Sequence, residues 1–189
     1  PGTAPTDSSY STPVVAQQDG RKVLYVGTGC GNVVCMDART GKPIWRFPMA
    51  MGGVNSSVVR DGSHIIAIHG KENLDSSQTG RMLAIKPPAL DTADKPVVLS
   101  GAHEVWRNDL GNFTSSPVLV DGVLYQFLPT GALVAVDAAN GRELWRKKLA
   151  NEQLHASPLW ADGKLYVAML NGDVFVLKAN RSGVEEVSK

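Results

Sequence analysis

The sequence predicts an all-β protein built from four repeats of a four-stranded antiparallel sheet, and three observations lead to this prediction. A short β-rich run that opens with serine or Ala-Ser is followed by an Asp-Gly pair four times along the 189 residues. Each Asp-Gly pair is followed by two further β-rich runs with a glycine between them. A tryptophan then recurs at one fixed place in three of the four repeats. Self-similarity at a fixed period is the sequence signature of a repeat architecture.

The Asp-Gly pairs mark the first hairpin of each repeat. They lie at residues 19–20, 61–62, 121–122 and 162–163, and the later glycines are Gly31, Gly80, Gly131 and Gly172. Asp-Gly is a strong hairpin signal because both residues tolerate the positive φ angles of a tight turn. The flanking runs are rich in Val, Ile, Leu and Tyr and show no 3.6-residue period, so strands are predicted rather than helices.

A second motif, Asp-x-x-x-Gly-x-x-x-Trp, leads into the last strand of a repeat. It comprises Asp37, Gly41 and Trp45 in the first repeat and Asp137, Gly141 and Trp145 in the third, with Trp106 at the equivalent place in the second. A tryptophan at one fixed place per repeat indicates a structural role, in which the indole ring wedges between neighbouring sheets and buries a large apolar area. We therefore expect the three tryptophans to respond alike to replacement by alanine.

The length of the repeats indicates a β-propeller. Apart from the second, which carries insertions, the repeats are about 41 to 44 residues long, which is the length of a propeller blade. We place the four blades at about residues 11–47, 54–108, 113–147 and 154–187 of a single propeller segment that covers residues 1–189. One such sheet does not bury both of its faces alone, so blades stack around an axis. A β-sandwich is the structural alternative, but it gives no reason for the repeated tryptophan.

The tryptophan motif also points to a family. Residues 135–145, with the pattern Ala-x-Asp-x-x-x-Gly-x-x-x-Trp, resemble the tryptophan-docking motif of the PQQ-like (quinoprotein-type) β-propeller repeat family. The first repeat departs from the motif at Cys35, the second and fourth carry Lys86 and Lys178 in place of the aspartate, and the fourth has no tryptophan. Such repeats occur in quinoprotein dehydrogenases, in the outer-membrane barrel-assembly lipoprotein and in uncharacterised bacterial repeat proteins.

The resemblance implies a non-catalytic scaffold that binds proteins or ligands in the periplasm or cell envelope of a bacterium. It also implies a ring of seven or eight blades, which further blades in the same polypeptide or a second copy would complete. The chain opens without Met and without an apolar leader, as expected of a processed or excised piece. Its net charge of +1 offers no basic footprint for nucleic acid. No apolar run approaches the roughly 18 residues of a membrane span.

The second repeat carries two insertions, at about residues 70–79 and 87–103. Insertions on a repeat scaffold are common binding sites. The first clusters oxygen and nitrogen donors, and these make up a candidate binding loop for a ligand or calcium: His69, Lys71, Glu72, Asn73 and Asp75. The alternative is a solvated polar loop held by Asn and Asp turn chemistry. The second insertion is Pro-rich and is expected to be an ordered surface excursion.

No catalytic constellation is found, and we expect no metal or cofactor, PQQ included. The histidines lie scattered over turns and strand starts, and no nucleophile–base spacing accompanies them. The alternative function is a fragment of a PQQ-dependent dehydrogenase. By family resemblance such enzymes use an adjacent pair of disulfide-bonded cysteines and a calcium ion, whereas Cys30 and Cys35 stand five residues apart. Whether these two cysteines are bonded to each other is left open by the sequence.

Overall fold

A computed structural model describes residues 8–90, 95–151 and 155–189. Within these residues the regular structure is β-strand, apart from one 3-10 turn at Gly101–His103, so the all-β prediction is confirmed. The strands are β1 (Val14–Gln18), β2 (Arg21–Gly27), β3 (Asn32–Asp37), β4 (Pro43–Pro48), β5 (Val59–Asp61), β6 (His64–Glu72), β7 (Thr79–Ile85), β8 (Val97–Val98), β9 (Glu104–Asn108), β10 (Val118–Val120), β11 (Val123–Phe127), β12 (Ala132–Asp137), β13 (Glu143–Lys148), β14 (Leu159–Ala161), β15 (Lys164–Ala168), β16 (Val174–Asn180) and β17 (Gly183–Ser188).

The strands form four sheets, one per repeat, each an antiparallel meander. We name them blade 1 (β1–β4), blade 2 (β5, β6, β7 and β9), blade 3 (β10–β13) and blade 4 (β14–β17). Blade 1 has a fifth strand that the sequence does not predict, because β8 of the second insertion pairs in parallel with β4. The predicted start of the fourth blade at residue 154 and the first seven residues of the chain lie outside the described residues.

The first hairpin turn follows the sequence prediction in three blades and differs in blade 2. Asp19, Asp121 and Asp162 adopt positive φ angles of 48°, 47° and 48°, and the glycine after each is also positive. In blade 2, Asp61 instead pairs with His64 as part of the strand, so the turn moves one residue along. Gly62 then supplies the positive φ, at 56°.

Three apolar clusters form the core, and each joins two blades that are consecutive in the sequence. Tyr25, Val33 and Trp45 of blade 1 share a cluster with residues of blade 2 that include Ile65 and Ile85. Blades 2 and 3 share a second cluster and blades 3 and 4 a third. Blades 2 and 3 therefore each have one face toward the preceding blade and one toward the following blade.

A chain of hydrogen bonds sets the position of each blade against the next. The backbone N–H of Thr12 donates to the Oγ of Ser57 at 3.0 Å, and the N–H of Ser57 donates to the Oγ of Ser116 at 2.8 Å. The N–H of Ser116 in turn donates to the Oγ of Ser157 at 2.9 Å. The recurring serine at the start of each repeat thus links neighbouring blades.

No helix in the described part of the chain has the length and apolar character needed to cross a membrane.

Candidate functional site

The first insertion of blade 2 extends the β6–β7 hairpin beyond the ends of the neighbouring strands β5 and β9. β6 runs to Glu72, and its register shifts between the His69–Arg81 and Glu72–Thr79 pairs. The hairpin is held on both sides by the linkers between blades. On one side the N–H of Met51 donates to the carbonyl of Glu72 at 2.9 Å, and on the other the N–H of Asn112 donates to the carbonyl of His69 at 3.3 Å.

The base of this hairpin contains a buried histidine. His69 is 0% exposed, and its Nδ1 accepts a hydrogen bond from the N–H of Lys71 at 3.3 Å. Burial is the main cause that lowers the pKa of His69 from 6.5 to about 4, and the nearby Arg81 guanidinium lowers it further. The ring is therefore neutral at pH 7.

An ion-pair network fixes the tip of the hairpin. The carboxylate of Asp75 contacts Arg81 at 2.8 Å and Arg107 at 2.6 Å, and Arg107 is also paired with Glu104. Hydrogen bonds from Arg107 and then Arg81 lower the pKa of Asp75 to about 2. With both carboxylate oxygens held by guanidinium groups, Asp75 remains ionised and its lone pairs are engaged within the protein.

Three large apolar side chains remain exposed around the hairpin. Met51 is 60% exposed, Leu74 49% and Phe113 38%, and we call this set the hairpin patch. Each is tied to the hairpin, since Met51 is hydrogen-bonded to Glu72 and the Lys71 ammonium lies 5.4 Å from the centre of the Phe113 ring. The backbone that carries these side chains is hydrogen-bonded to the hairpin at Met51 and Asn112.

The structure separates the five residues of the candidate binding loop. His69 and Asn73 are buried beneath the hairpin, Asp75 is ion-paired, Lys71 is partly buried, and Glu72 is exposed. Their role in binding a ligand stays a prediction. Sequence reasoning passed over the hairpin patch, although an apolar Leu74 between the polar residues of the loop was a visible signal.

Within the described ranges, no group of three or more His, Cys, Asp or Glu side chains converges to hold a metal ion. Cys30 and Cys35 are not disulfide-bonded to each other, and burial raises the pKa of Cys35 to about 12. A thiol with so high a pKa is a weak nucleophile at pH 7. Cys35 instead packs opposite Trp45, at the place where the motif has alanine.

The tryptophan motif places its residues at the junctions between blades. Trp45, Trp106 and Trp145 each pair with a small residue of the preceding strand. Trp106 packs on the turn at Gly141 of blade 3, where an added Cβ would lie 2.3 Å from the indole ring. Its Nε1 donates to the Ala138 carbonyl at 2.8 Å.

The aspartates of the motif fix the turn before the last strand of their blade. Asp37 accepts hydrogen bonds from the N–H groups of Arg39 and Thr40 and is paired with Arg21. The bonds from Thr40 are the main cause that lowers the pKa of Asp37 to about 2. Asp137 likewise accepts the N–H of Ala139, at 3.0 Å.

At the junction of blades 1 and 2, the second insertion of blade 2 takes the place of the Asp-x-x-x-Gly turn that blade 3 has. Its described residues, 87–90 and 95–103, form what we call the strap. The strap places β8 beside β4 and buries Leu99 in the apolar cluster of Trp45. Trp45 is 2% exposed, and its buried Nε1 makes no hydrogen bond within the described chain. Trp145, at the last junction, is partly exposed and donates to the Asn180 carbonyl at 2.7 Å.

Comparison with known proteins agrees with this architecture. A family model described as outer membrane protein assembly factor BamB matches residues 6–86 and 96–184. The factor of that name from Salmonella typhimurium is 28% identical over 167 residues, which cover 88% of this chain and 36% of the relative. Quinohemoprotein alcohol dehydrogenase ADH IIB of Pseudomonas putida is 35% identical over 88 residues, covering 39% of this chain and 13% of the enzyme.

Solved structures show the same fold. A europium-containing methanol dehydrogenase superposes with a TM-score of 0.58 at 14% identity, covering 89% of this chain and 38% of that one. The computationally designed Ika4 protein superposes with a TM-score of 0.60 at 13% identity, covering 90% and 92%. The chain spans about a third of the length of the Salmonella relative that it matches. The four blades, the tryptophan motif and the family match together show that the chain belongs to the BamB family of PQQ-like repeat propellers.

Proposed function

We propose that the chain is a non-catalytic propeller scaffold in the bacterial cell envelope that binds protein partners through the hairpin patch. The patch supports the proposal because Met51, Leu74 and Phe113 expose large apolar side chains on a backbone that hydrogen bonds hold in place. Exposed apolar clusters with a polar rim commonly mark protein interfaces. The partly buried Lys71 and the exposed Glu72 supply that rim.

The name of the matched family, outer membrane protein assembly factor BamB, supports a role in outer membrane protein assembly, and such a role favours an extracytoplasmic location. Because the chain spans about a third of the Salmonella relative's length, the activity and partners of the whole protein belong to this proposal. We further propose that additional blades, in the same polypeptide or from a second copy, complete the ring.

Site-specific crosslinking in the bacterium that encodes the chain tests the binding surface. A photo-crosslinking amino acid at Leu74 should give a discrete adduct with an envelope protein, identified by mass spectrometry. Val105 is the matched control, because it is 44% exposed on β9 of the same blade but lies off the hairpin. Leu74→Asp should weaken capture of that protein and Val105→Asp should not. Equal adducts at both positions, or none at Leu74, would contradict the proposal.

The second candidate is a fragment of a PQQ-dependent dehydrogenase, favoured by the similarity to the Pseudomonas putida enzyme. We propose instead that the chain binds no PQQ, because Cys30 and Cys35 stand five residues apart within one repeat rather than as an adjacent pair. Titration of the chain with PQQ and calcium, followed by absorbance and by equilibrium dialysis, tests this. Stoichiometric binding would favour the dehydrogenase.

A further inference from the structure

The outermost strands of the four blades differ in charge. Three of them expose charged side chains, namely Arg107 on β9, Glu143, Arg146 and Lys148 on β13, and Glu185 and Glu186 on β17. Charged side chains are one of the features that keep the backbone N–H and C=O groups of an edge strand from pairing with another chain. Within the described residues, no further strand pairs with the outer edge of these three strands.

The outermost strand of blade 1 lacks this protection. β4 has the sequence Pro-Ile-Trp-Arg-Phe-Pro, and its one charged side chain, Arg46, is partly buried and donates to the Oδ1 of Asn32 at 3.0 Å. Isoleucine, tryptophan and phenylalanine favour strands. Pro43 and Pro48 have no N–H to give to a ladder, so the residues between them form a short apolar edge.

The strap covers this apolar edge. β8 pairs in parallel with β4 at Trp45 and Arg46, midway between the two prolines. The N–H of Leu99 donates to the Arg46 carbonyl at 2.8 Å, and the Leu99 side chain is 2% exposed in the apolar cluster of Trp45. The edge of blade 1 is therefore occupied by a segment that comes from blade 2.

An extended hairpin of blade 1 holds the start of the strap. β1 and β2 pair over five residues, whereas the first two strands of blades 2, 3 and 4 pair over three. At the tip of the longer hairpin, the Asp19 carboxylate accepts the N–H of Leu90 at 2.8 Å. The Nε2 of Gln18 donates to the Pro88 carbonyl at 3.3 Å. The strap is thus attached to blade 1 both at this hairpin and at β8.

The strap ends the sheet and does not prepare it for another strand. β8 has two residues and follows Lys95 and Pro96. A very short strand, a lysine and a proline are each features that blunt a sheet edge. Val97 and Val98 are 43% and 54% exposed, but a strand of two residues offers few backbone groups for pairing. The strap therefore replaces an edge that can pair by one that cannot.

We propose that the strap guards the edge of β4, and that without it β4 pairs antiparallel with β4 of a second copy of this chain. The prolines at both ends centre such a pairing between Trp45 and Arg46. Ile44 then lies opposite Phe47 of the second copy, an apolar pair. Trp45 lies opposite Arg46, an aromatic ring beside a cation. The same strand supplies both sides of the contact, as two-fold symmetry requires.

This contact lies along the outer strand of a blade, so it differs from ring completion by further blades and from binding at the hairpin patch. The test detaches the strap and measures self-association. Leu99→Asp removes the apolar anchor and places an unpaired carboxylate in the cluster of Trp45, a cost that is relieved when the strap leaves β4. Sedimentation equilibrium should show a dissociation constant for self-association at least tenfold lower than that of the unchanged chain.

A second variant detaches the strap without a buried charge. Val97→Gly and Val98→Gly remove side chains that favour a strand, and Asp19→Gly removes the carboxylate that accepts the N–H of Leu90. All three positions are exposed, and glycine tolerates the φ of 48° at residue 19, so the blades should stay folded. This triple variant should lower the dissociation constant at least threefold.

Two lysine variants identify the edge that pairs. Ile44→Lys adds a charge to β4 and should return both detached variants to the association of the unchanged chain. Leu144→Lys is the matched control, because Leu144 is the second residue of β13, is also partly buried and receives the same charge. It should leave the gain in place.

The proposal is wrong if a folded detached variant associates no more strongly than the unchanged chain, or if Ile44→Lys and Leu144→Lys have equal effects. Association of the unchanged chain through its end blades would be the baseline of every variant, so ring completion is judged separately. Leu74 is the same in all of these variants, and crosslinking there tests the partner-binding proposal independently.

Discussion

Blades 2 and 3 receive the tryptophan of the preceding blade in different ways. Blade 3 offers the turn at Gly141, against which Trp106 packs while its N–H bonds the Ala138 carbonyl. Blade 2 has no such turn and covers Trp45 with the strap, which buries the ring but leaves its Nε1 without a hydrogen bond within the described chain. The apolar burial is common to both junctions and the hydrogen bond is not, so we conclude that burial of the ring is what the repeat requires.

The same two blades differ at the end of their second strand. His69 of blade 2 and Leu128 of blade 3 occupy equivalent positions, three residues after the partners of Ala84 and Ala135, and both are buried. The free energy of burying an apolar residue there does not depend on pH, whereas burial of a histidine is favourable only while the ring is neutral. Blade 2 therefore differs from blade 3 in its two insertions and also in having a buried side chain that can take up a proton.

The largest expected effect is at Trp45. Trp45→Ala should lower the free energy of unfolding by about 3 to 5 kcal/mol, because a large ring is lost from a closed apolar cluster. Trp145→Ala should cost less, about 1 to 3 kcal/mol, because Trp145 is partly exposed. Urea unfolding of the two variants measures the difference. Equal losses would restore the sequence-based expectation that the tryptophans behave alike.

The next effect is a pH dependence due to His69, which Leu128 at the equivalent position of blade 3 does not produce. The pKa of His69 is about 4 in the folded protein against 6.5 unfolded, so the unfolded chain binds the proton more tightly. The stability that the protein gains from burying neutral His69 is fully present above pH 6.5 and is lost as the pH falls toward 4. The loss amounts to about 3 kcal/mol.

Unfolding curves between pH 7 and pH 4 measure this slope. His69→Leu makes the position like Leu128 of blade 3 and should flatten the curve. A slope that is unchanged in His69→Leu would assign the pH dependence to other groups.

A pair of glycine variants isolates the contact of Trp106. Gly141→Ala and Gly41→Ala both place a side chain at positive φ, a strain of about 1 kcal/mol. At Gly141 the new Cβ also overlaps the indole ring, which should add about 1 to 3 kcal/mol. Thermal melts should rank Gly141→Ala well below Gly41→Ala. Matching melts would mean that Trp106 does not depend on that turn.

The smallest effect separates the two indole N–H groups. Trp106→Phe removes a buried hydrogen bond and leaves the Ala138 carbonyl without its donor, whereas Trp45→Phe removes an N–H that has no acceptor among the described residues. We expect Trp106→Phe to be the more destabilising by about 1 kcal/mol. Urea unfolding of both variants provides the comparison, and the reverse order would indicate that Trp45 has a partner such as ordered water.

Much of the fold could be predicted because its signals are local. The turn at Asp19 and Gly20 needs positive φ at two successive positions, and Asp-Gly tolerates this wherever it occurs. In blade 2 the turn does not lie at the Asp-Gly pair, because Asp61 pairs with His64 and the turn moves by one residue. The candidate site was harder to predict, since the donor atoms of His69 and Asn73 are visible in the sequence but their burial is not.

The sequence by itself determined the four antiparallel sheets, their strand order and the recurring place of the tryptophan, because these follow from turn chemistry and a repeated spacing within about 45 residues. Only the tertiary structure decided that the second insertion adds a strand to blade 1 and that Asp75 is held by two arginines. Those features depend on which surfaces meet. Contacts between distant segments are fixed by shape and burial, for which a local pattern carries no signal.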